Sequence, residues 1–137
     1  MHNPKVCYRI TLIHPRVPAS SRSKEITEYG HEFQKESDWG WKEFIPVDEV
    51  EEFLQDDVAR FRLELVSSSA LFEFEVEKFS IWGKRSVEES FTYHACKWFL
   101  QIYPEGAHED EGKSLSIFLD MRDFSRKDIK AHLSYKL

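Results

Sequence analysis

The stretch Ser37–Pro46 restricts the fold of this chain more than any other. It reads Ser-Asp-Trp-Gly-Trp-Lys-Glu-Phe-Ile-Pro, with a tryptophan on either side of one glycine. Side chains alternate between the two faces of a β-strand, so both tryptophans share one face and Gly40 lies on the other. A glycine between large rings predicts a bulge or a close approach of a neighbouring backbone. Pro46 cannot donate a backbone hydrogen bond, so the strand ends there or lies at a sheet edge.

Trp39 and Trp41 admit two interpretations. Large aromatic side chains are most often buried, which would make both rings part of the core. Alternatively, one ring is half-exposed and forms part of a groove for a peptide. Phe44 and Ile45 follow closely, and one face of a short strand cannot hide all four side chains. A twist or a bulge would have to relieve this competition.

Alternation of apolar and polar residues predicts strands along most of the chain. The two clearest are residues 58–66 and 71–77. The other predicted strands are residues 5–13, 28–34, 39–45, two pieces within 90–103, 114–121 and 131–137. The two pieces within 90–103 are either continuous or split by a turn. Proline, glycine, serine and charged residues predict loops or turns at residues 15–25, 79–89, 105–113 and 122–130.

The two clearest strands are separated by Ser67–Ala70 and are expected to form a hairpin. With that loop, apolar residues face apolar residues across the strands, and Arg62 faces Glu75. Only Glu64 against Glu73 would be unfavourable. A slip of one residue would turn one strand's apolar set to the wrong face, so the pattern favours this hairpin.

One short helix is predicted at residues 47–54, where four apolar residues fall on one face at helical spacing. These residues are Val47, Val50, Phe53 and Leu54. About eight short strands, turn signals between them and one short helix are typical of an all-β protein. The expected fold is an antiparallel β-sandwich.

Length and charge narrow the class of protein further. A chain of 137 residues suits a single domain with one sizeable core. A net charge of −6 argues against nucleic acid and against an anionic membrane surface as partners. No apolar run approaches the roughly 18 residues that span a bilayer, and the N-terminal segment lacks the apolar core of a signal peptide. We therefore expect a cytoplasmic or nuclear protein in which Cys7 and Cys96 are free thiols, with a disulfide between them as the alternative.

The sequence offers no constellation for catalysis. It contains no Gly-x-Ser-x-Gly, no phosphate loop and no dinucleotide fingerprint. His94 and Cys96 lie two apart on one strand face, but no further ligands follow at the spacing of a metal site. The acidic loop Glu105–Glu111 lacks the ordered ligand pattern of a calcium site and is expected to be a solvated hairpin loop. We therefore expect no enzyme, no cofactor and no metal site.

The central stretch also carries a family resemblance. Asp-Trp-Gly-Trp-Lys at 38–42 is preceded by His-Glu-Phe at 31–33 and followed by Phe-Leu-Gln-Asp-Asp at 53–57. This combination resembles the C-terminal half of a MATH (meprin and TRAF homology) domain. By this resemblance, residues 1–66 correspond to the closing half of the family fold.

The rest of the chain resembles the opening half of the same domain. Lys-Trp-Phe-Leu-Gln-Ile-Tyr-Pro-Glu-Gly at 97–106 is followed by Leu-Ser-Ile-Phe-Leu at 115–119. Residues 71–137 therefore match the N-terminal half, and the two halves stand in reversed order. The resemblance implies a single eight-stranded TRAF-like sandwich over 1–137, circularly permuted. A fragment of a tandem array, joining the end of one repeat to the start of the next, is the alternative.

The resemblance implies recognition of other proteins without catalysis. MATH domains of ubiquitin-ligase adaptors and ubiquitin-specific proteases bind an extended peptide across one sheet, with main-chain hydrogen bonds and side-chain pockets. By resemblance, the groove residues of this chain are Tyr8, His31, Asp38, Trp39, Trp41, Lys42 and Phe118. We therefore expect a substrate-recognition or adaptor module in ubiquitin signalling, with extended peptide segments of other proteins as partners.

The groove residues suit a peptide with one apolar anchor. Aromatic walls would hold the anchor, and Asp38 and Lys42 would pair with serine or threonine hydroxyls. The family often has tyrosine in place of His31 and phenylalanine in place of Trp41, which changes the ligand motif to be expected. The competing interpretation is that Tyr8 and Phe118 are core residues.

Both ends of the chain resemble the same strand of the family. These are residues 8–13, Tyr-Arg-Ile-Thr-Leu-Ile, and residues 132–137, His-Leu-Ser-Tyr-Lys-Leu. One sandwich has one position for that strand, so either both ends pair side by side or one stays at an edge that is open to a second chain. A homo-oligomer formed by strand exchange is therefore the alternative function.

Overall fold

Eight strands make up most of the chain in a computed structural model that describes residues 5–32, 37–65, 70–83, 85–93, 96–107 and 111–122. All of their pairings are antiparallel. The strands are β1 (Lys5–Leu12), β2 (Arg22–Glu32), β3 (Ser37–Pro46), β4 (Ala59–Leu65), β5 (Ala70–Val76), β6 (Val87–Tyr93), β7 (Cys96–Tyr103) and β8 (Ser114–Arg122). The prediction of an all-β antiparallel sandwich is confirmed.

The strands form two four-stranded sheets, and each sheet combines strands from the front and the rear of the sequence. The first sheet has the order β2-β1-β4-β5 and the second the order β3-β8-β7-β6. In the first, β5 from the rear pairs with β4. In the second, β3 from the front pairs with β8. The circular order of the family's halves stays a prediction.

The core lies between the two sheets because every second side chain of each central strand points inward. Exposure is at most 1% for the large core side chains Ile10, Phe61, Leu63, Trp98, Leu100 and Ile117. Burying one such side chain stabilises the fold by about 1.5–3 kcal/mol. The indole N–H of Trp98 donates to the carbonyl oxygen of Tyr93 at 2.9 Å, so the largest core ring keeps a hydrogen bond.

The hairpin between β4 and β5 forms, but the predicted register is wrong by two residues. Arg62 lies opposite Glu73 rather than Glu75, and Glu64 lies opposite Leu71. A shift of two residues leaves the same side chains facing the core, because the side-chain period of a strand is two. It also separates the two glutamates that the predicted register had placed opposite each other.

Two strands begin earlier than predicted. β2 begins at Arg22 and β6 at Val87, in segments that were expected to be loops. Both strands lie at sheet edges among the strands that the structure describes. Edge strands keep one row of backbone groups in solvent and tolerate polar side chains, so their sequences lack a clear apolar alternation.

The remaining predicted elements divide into three outcomes. The predicted helix at 47–54 is a 3₁₀ helix, Val47–Phe53, with Val50 and Phe53 buried. The two pieces within 90–103 are separate strands, β6 and β7. The predicted strand at 131–137 and nearly all of the turn at 122–130 lie outside the described residues.

Two further expectations concern the thiols and the membrane. Cys7 and Cys96 are thiols that no disulfide joins, as predicted. Burial raises the pKa of the Cys96 thiol to about 11. No helix in the described ranges has the length and apolarity to cross a membrane.

Gly40 permits the close pairing of β3 with β8. It lies opposite Phe118 in the register. A Cβ atom at this position would overlap the carbonyl oxygen of Ile117 and lie 2.6 Å from Cα of Phe118. Both obstacles are backbone atoms of a central strand, so no side-chain rotation can relieve the overlap.

Gly40→Ala is therefore expected to lower the free energy of unfolding by about 1–3 kcal/mol, because β3 would have to move away from β8. Urea denaturation measures the change. Thr92→Ala on the exposed face of edge strand β6 is the control, with an expected change within about 0.5 kcal/mol. Equal stability of the two variants would show that β3 does not approach β8 this closely.

Glu89 is a carboxylate at an inward-facing position of β6. It lies opposite the buried Leu100 and is half-buried. Burial raises the pKa of its carboxyl above the ordinary value of 4.5. The folded state therefore favours the protonated form, and stability is lost as the pH rises from the ordinary value through the raised one.

Glu89→Gln is expected to raise the urea midpoint at neutral pH, because glutamine carries no charge to desolvate. The gain should disappear at a pH below 4.5, where the carboxyl is protonated in both folded and unfolded states. Urea midpoints across this pH range measure the effect. The exposed Glu73 provides the control: Glu73→Gln should show no such gain. A gain for Glu89→Gln that persists at acidic pH would contradict the explanation.

Candidate functional site at the β3 edge

β3 is an edge strand in the part of the chain that the structure describes. It pairs with β8 from Ser37 opposite Met121 to Pro46 opposite Ser114. Its second side has no partner among the described strands. Alternate residues of an antiparallel strand direct their N–H and C=O groups to opposite sides, so the outer side can accept an added strand.

An irregularity in β3 decides which of its aromatic residues are buried. The pairing with β8 shifts register between Trp41 and Ile45. Phe44 and Ile45 are neighbours in sequence, yet both are buried, with exposures of 2% and 1%. A regular strand would place neighbours on opposite faces, so the bulge lets both reach the core. Trp41 is left half-buried beside the edge.

Trp41 is held by two other rings. Its centroid lies 5.7 Å from that of Tyr8 at an interplanar angle of 61°, and 6.2 Å from that of Phe44 at the same angle. Edge-to-face pairs of this kind contribute about 0.5–1.5 kcal/mol each beyond the burial of area. The Tyr8 contact joins the two sheets, because Tyr8 belongs to β1.

Tyr8 has no exposed surface, and burial raises the pKa of its hydroxyl above the ordinary value. Its ring therefore supports Trp41 from the interior and presents no surface of its own. This position agrees with the interpretation of Tyr8 as a core residue. A direct contact between Tyr8 and a ligand would require Trp41 to move.

Phe118 lies on the other face of the same sheet. Its neighbour Ile117 points inward with no exposed surface and lies opposite Trp41, so Phe118 faces outward, opposite Gly40. The Phe118 ring is half-buried and meets Tyr103 edge-on, with centroids 5.9 Å apart. The predicted groove set is thus divided between two faces, and a ligand that contacts both Trp41 and Phe118 has to cross the edge formed by β3.

Lys42 lies within the irregular part of β3, and its side chain is exposed. Its carbonyl oxygen accepts a hydrogen bond from Oγ of the buried Ser116 at 2.6 Å. The same hydroxyl oxygen accepts the backbone N–H of Ala107 at 3.0 Å. Two backbone segments are therefore tied to β8 at the bulge, which fixes the base of the Lys42 side chain.

Three predicted groove residues are described by their backbone alone. In the register of β3, Asp38 lies opposite Asp120 and Trp39 opposite Leu119. His31 lies in β2, opposite Val6 of β1. That Trp39 shares a strand face with Trp41 stays a prediction. His31 belongs to the other sheet. The roles of all three in binding stay predictions.

Sequence reasoning missed two cations of β2 next to this edge, one that contacts β3 and one that contacts the 3₁₀ helix. Nζ of Lys24 donates to the carbonyl oxygen of Glu43 at 2.7 Å, and Nη1 of Arg22 lies 2.7 Å from Oε1 of Glu49. Both residues belong to β2, in a segment that was predicted to be a loop. Arg22, Lys24 and Ile26 occupy every second position of the segment. This spacing was the sequence signal that the three side chains share one face of a strand.

Sequence reasoning also missed two aromatic residues on the outer face. Phe99 and Tyr103 of β7 are half-buried. They lie opposite Asp120 and Ser116 of β8, on the sheet face that carries Phe118. Their alternation within the predicted strand was visible. The sequence did not show which strand β7 would pair with, and therefore did not place these rings beside Phe118.

Metal ligation finds no support in the described ranges. There, no group of three or more His, Cys, Asp or Glu side chains is placed to hold a metal ion. His94 and the middle of the Glu105–Glu111 loop lie outside those ranges, so the predictions made for them stay predictions. The second copy of the β1 pattern at 132–137 also lies outside them, and self-association stays a prediction.

Two packed antiparallel sheets with an open edge beside a half-buried tryptophan define a β-sandwich suited to binding other proteins. Comparison with protein families gives the more particular assignment. Residues 5–69 match the family model of the MATH domain. MATH domains are protein–protein interaction modules and are not typically catalytic. No curated protein and no solved structure matches the chain.

The hydrogen bond from Lys24 yields a test of the link between β2 and β3. Lys24→Met keeps the aliphatic stem and removes the donor, so the free energy of unfolding should fall by about 0.5–1.5 kcal/mol. Urea denaturation measures the loss. Lys113→Met is the control because the Lys113 side chain is exposed. A loss for Lys24→Met no larger than that of the control would contradict a bond to β3.

Proposed function

We propose that this chain is a recognition module that binds an extended segment of a partner protein along the outer side of β3. The observation that carries the proposal is an edge strand whose open side adjoins Trp41, with Tyr8 and Phe44 holding the ring in place. A bound segment would add main-chain hydrogen bonds to β3, and side-chain contacts would select its sequence.

The two faces of the sheet would receive alternate side chains of the bound segment. Successive side chains of an extended chain point to opposite faces, so one set would reach Trp41 and the other would reach the outer face. Gly40 has no side chain, and therefore nothing at that position separates the edge from Phe118. An apolar residue of the partner fits the Trp41 side.

The polar residues of β3 would set the neighbouring positions of the ligand. Lys42 is exposed beside Trp41, and Asp38 stands two residues before Gly40 in the same strand. A carboxylate accepts from a hydroxyl and an ammonium donates to one, so serine or threonine next to the apolar anchor would satisfy both. We infer a ligand with one apolar anchor flanked by hydroxyl side chains.

The cellular role that fits such a module is substrate recognition or adaptation in ubiquitin ligase or deubiquitinase signalling, in the cytoplasm or nucleus. The MATH match over residues 5–69 and the resemblance of the central stretch support this role. In this role the chain contributes binding and no reaction step.

A peptide array followed by titration of the best ligands tests the proposal. Trp41→Ala is expected to weaken binding at least about tenfold, since a tryptophan at the centre of an interface is often a hot spot. Trp39→Ala and Lys42→Ala should weaken it to a smaller extent. The matched control is Trp82→Ala, because Trp82 is half-buried near β5 and β6, far from β3 in the sheet order.

Unchanged affinity of the Trp39, Trp41 and Lys42 variants for ligands that bind tightly would rule out the β3 edge. Amide NMR spectra of each variant establish that the fold is kept. Sedimentation at several concentrations accompanies the titration, because a strand-exchanged oligomer would occupy a sheet edge and make the apparent affinity depend on protein concentration.

A further inference from the structure

A pocket lies at the end of the sandwich where β3 ends. Its volume is about 350 Å³, near the lower end of the ~300–1,000 Å³ range of ligand pockets. Val50 and Phe79 line it with exposures of 6% and 4%, and Leu54 and Pro104 add further apolar surface. The lining comes from the 3₁₀ helix, the turn before β4, the turn after β5 and the end of β7.

The charged groups of this pocket are acidic. Glu51, Asp57 and Glu105 line it, and its described lining includes no lysine, arginine or histidine. Glu51 is exposed and Glu105 is half-buried. Neither carboxylate has a hydrogen-bond or ion-pair partner among the described residues, so both charges are available to a ligand.

Asp57 differs from the other two carboxylates because it is engaged within the protein. Oδ1 accepts the backbone N–H of Ser80 at 3.0 Å, and Oδ2 accepts the Ser80 hydroxyl at 2.7 Å. The carbonyl oxygen of Asp57 accepts the N–H of Phe79 at 2.8 Å. These bonds join the turn before β4 to the turn after β5, and they fix one wall of the pocket.

An apolar floor under free carboxylates suits a long side chain with an aliphatic stem and a cationic head. Arginine fits better than lysine, because guanidinium is weakly hydrated, packs against apolar surface and bonds to carboxylates through two parallel N–H groups. The charge of the pocket and its apolar floor thus select one kind of occupant.

We infer that this pocket binds an arginine flanked by aliphatic residues in a segment of a partner protein. The arginine stem lies over Val50 and Phe79, and the guanidinium pairs with Glu51 and Glu105. The pocket lies at the opposite end of β3 from Trp39, so this contact is separate from the proposed peptide site and extends the recognition surface to a second point.

Amide NMR titration of the whole chain with acetyl-Leu-Arg-Val-amide tests the inference. Saturable shifts are expected at Glu51, Leu54, Ser80, Gly83 and Glu105. The same peptide with citrulline in place of arginine keeps the shape and loses the charge, and it should bind about tenfold more weakly. Added salt should weaken the arginine peptide, since its ion pairs are partly exposed.

Two isosteric variants test the carboxylates. Glu51→Gln and Glu105→Gln should each weaken binding of the arginine peptide by about threefold to tenfold. Glu73→Gln, an exposed glutamate on β5 outside the pocket lining, is the control and should leave the affinity unchanged. Trp41→Ala should also leave it unchanged, which separates failure here from failure of the β3 site.

Several results would overturn the inference. These are no saturable shift at the solubility limit of the peptide, equal affinity for the arginine and citrulline peptides, and shifts that map to β3. Saturable shifts of the pocket amides by calcium chloride alone that also exclude the peptide would assign a metal site in its place.

Discussion

The pairing of β3 with β8 is the interaction on which the rest of the structure depends. It joins the front of the sequence to its rear within one sheet, and Ile45 of β3 and Ile117 of β8 both lie in the core between the sheets. Gly40 allows the two backbones to approach, since any side chain there would overlap β8. The same pairing makes β3 an edge in the described part of the chain and so creates the surface that we propose for recognition.

The bulge in β3 links packing to function. Phe44 and Ile45 both enter the core at the bulge, and Trp41 stays at the margin, where Tyr8 supports it from below. Had the strand been regular, one of the two core residues would have pointed outward and the edge would have carried a different surface. The proposed recognition by β3 therefore depends on this bulge. Bulges are common at sheet edges and next to functional sites.

The sequence pattern predicted the strands in which apolar and polar residues alternate strongly. The prediction was wrong where this alternation is weak, or where it fits more than one strand register. β1, β4, β5, β7 and β8 direct alternate apolar side chains toward the core, so their sequences carry the period-two pattern. The edge strand β2 is largely polar, and its first part was taken for a loop. The β4–β5 register was wrong by two residues, because such a shift keeps every side chain on its face and the apolar pattern cannot distinguish the two pairings.

The sequence by itself determined which residues share a strand face, that the fold is an antiparallel sandwich, and that the central stretch resembles a MATH domain. The tertiary structure decided the register, the full burial of Tyr8 and the separation of Trp41 and Phe118 onto opposite faces of one sheet. It also assembled the acidic pocket from segments that are far apart in sequence. The physical reason is that alternation is a local property of a strand, whereas neighbours across strands and turns are fixed only when the two sheets pack.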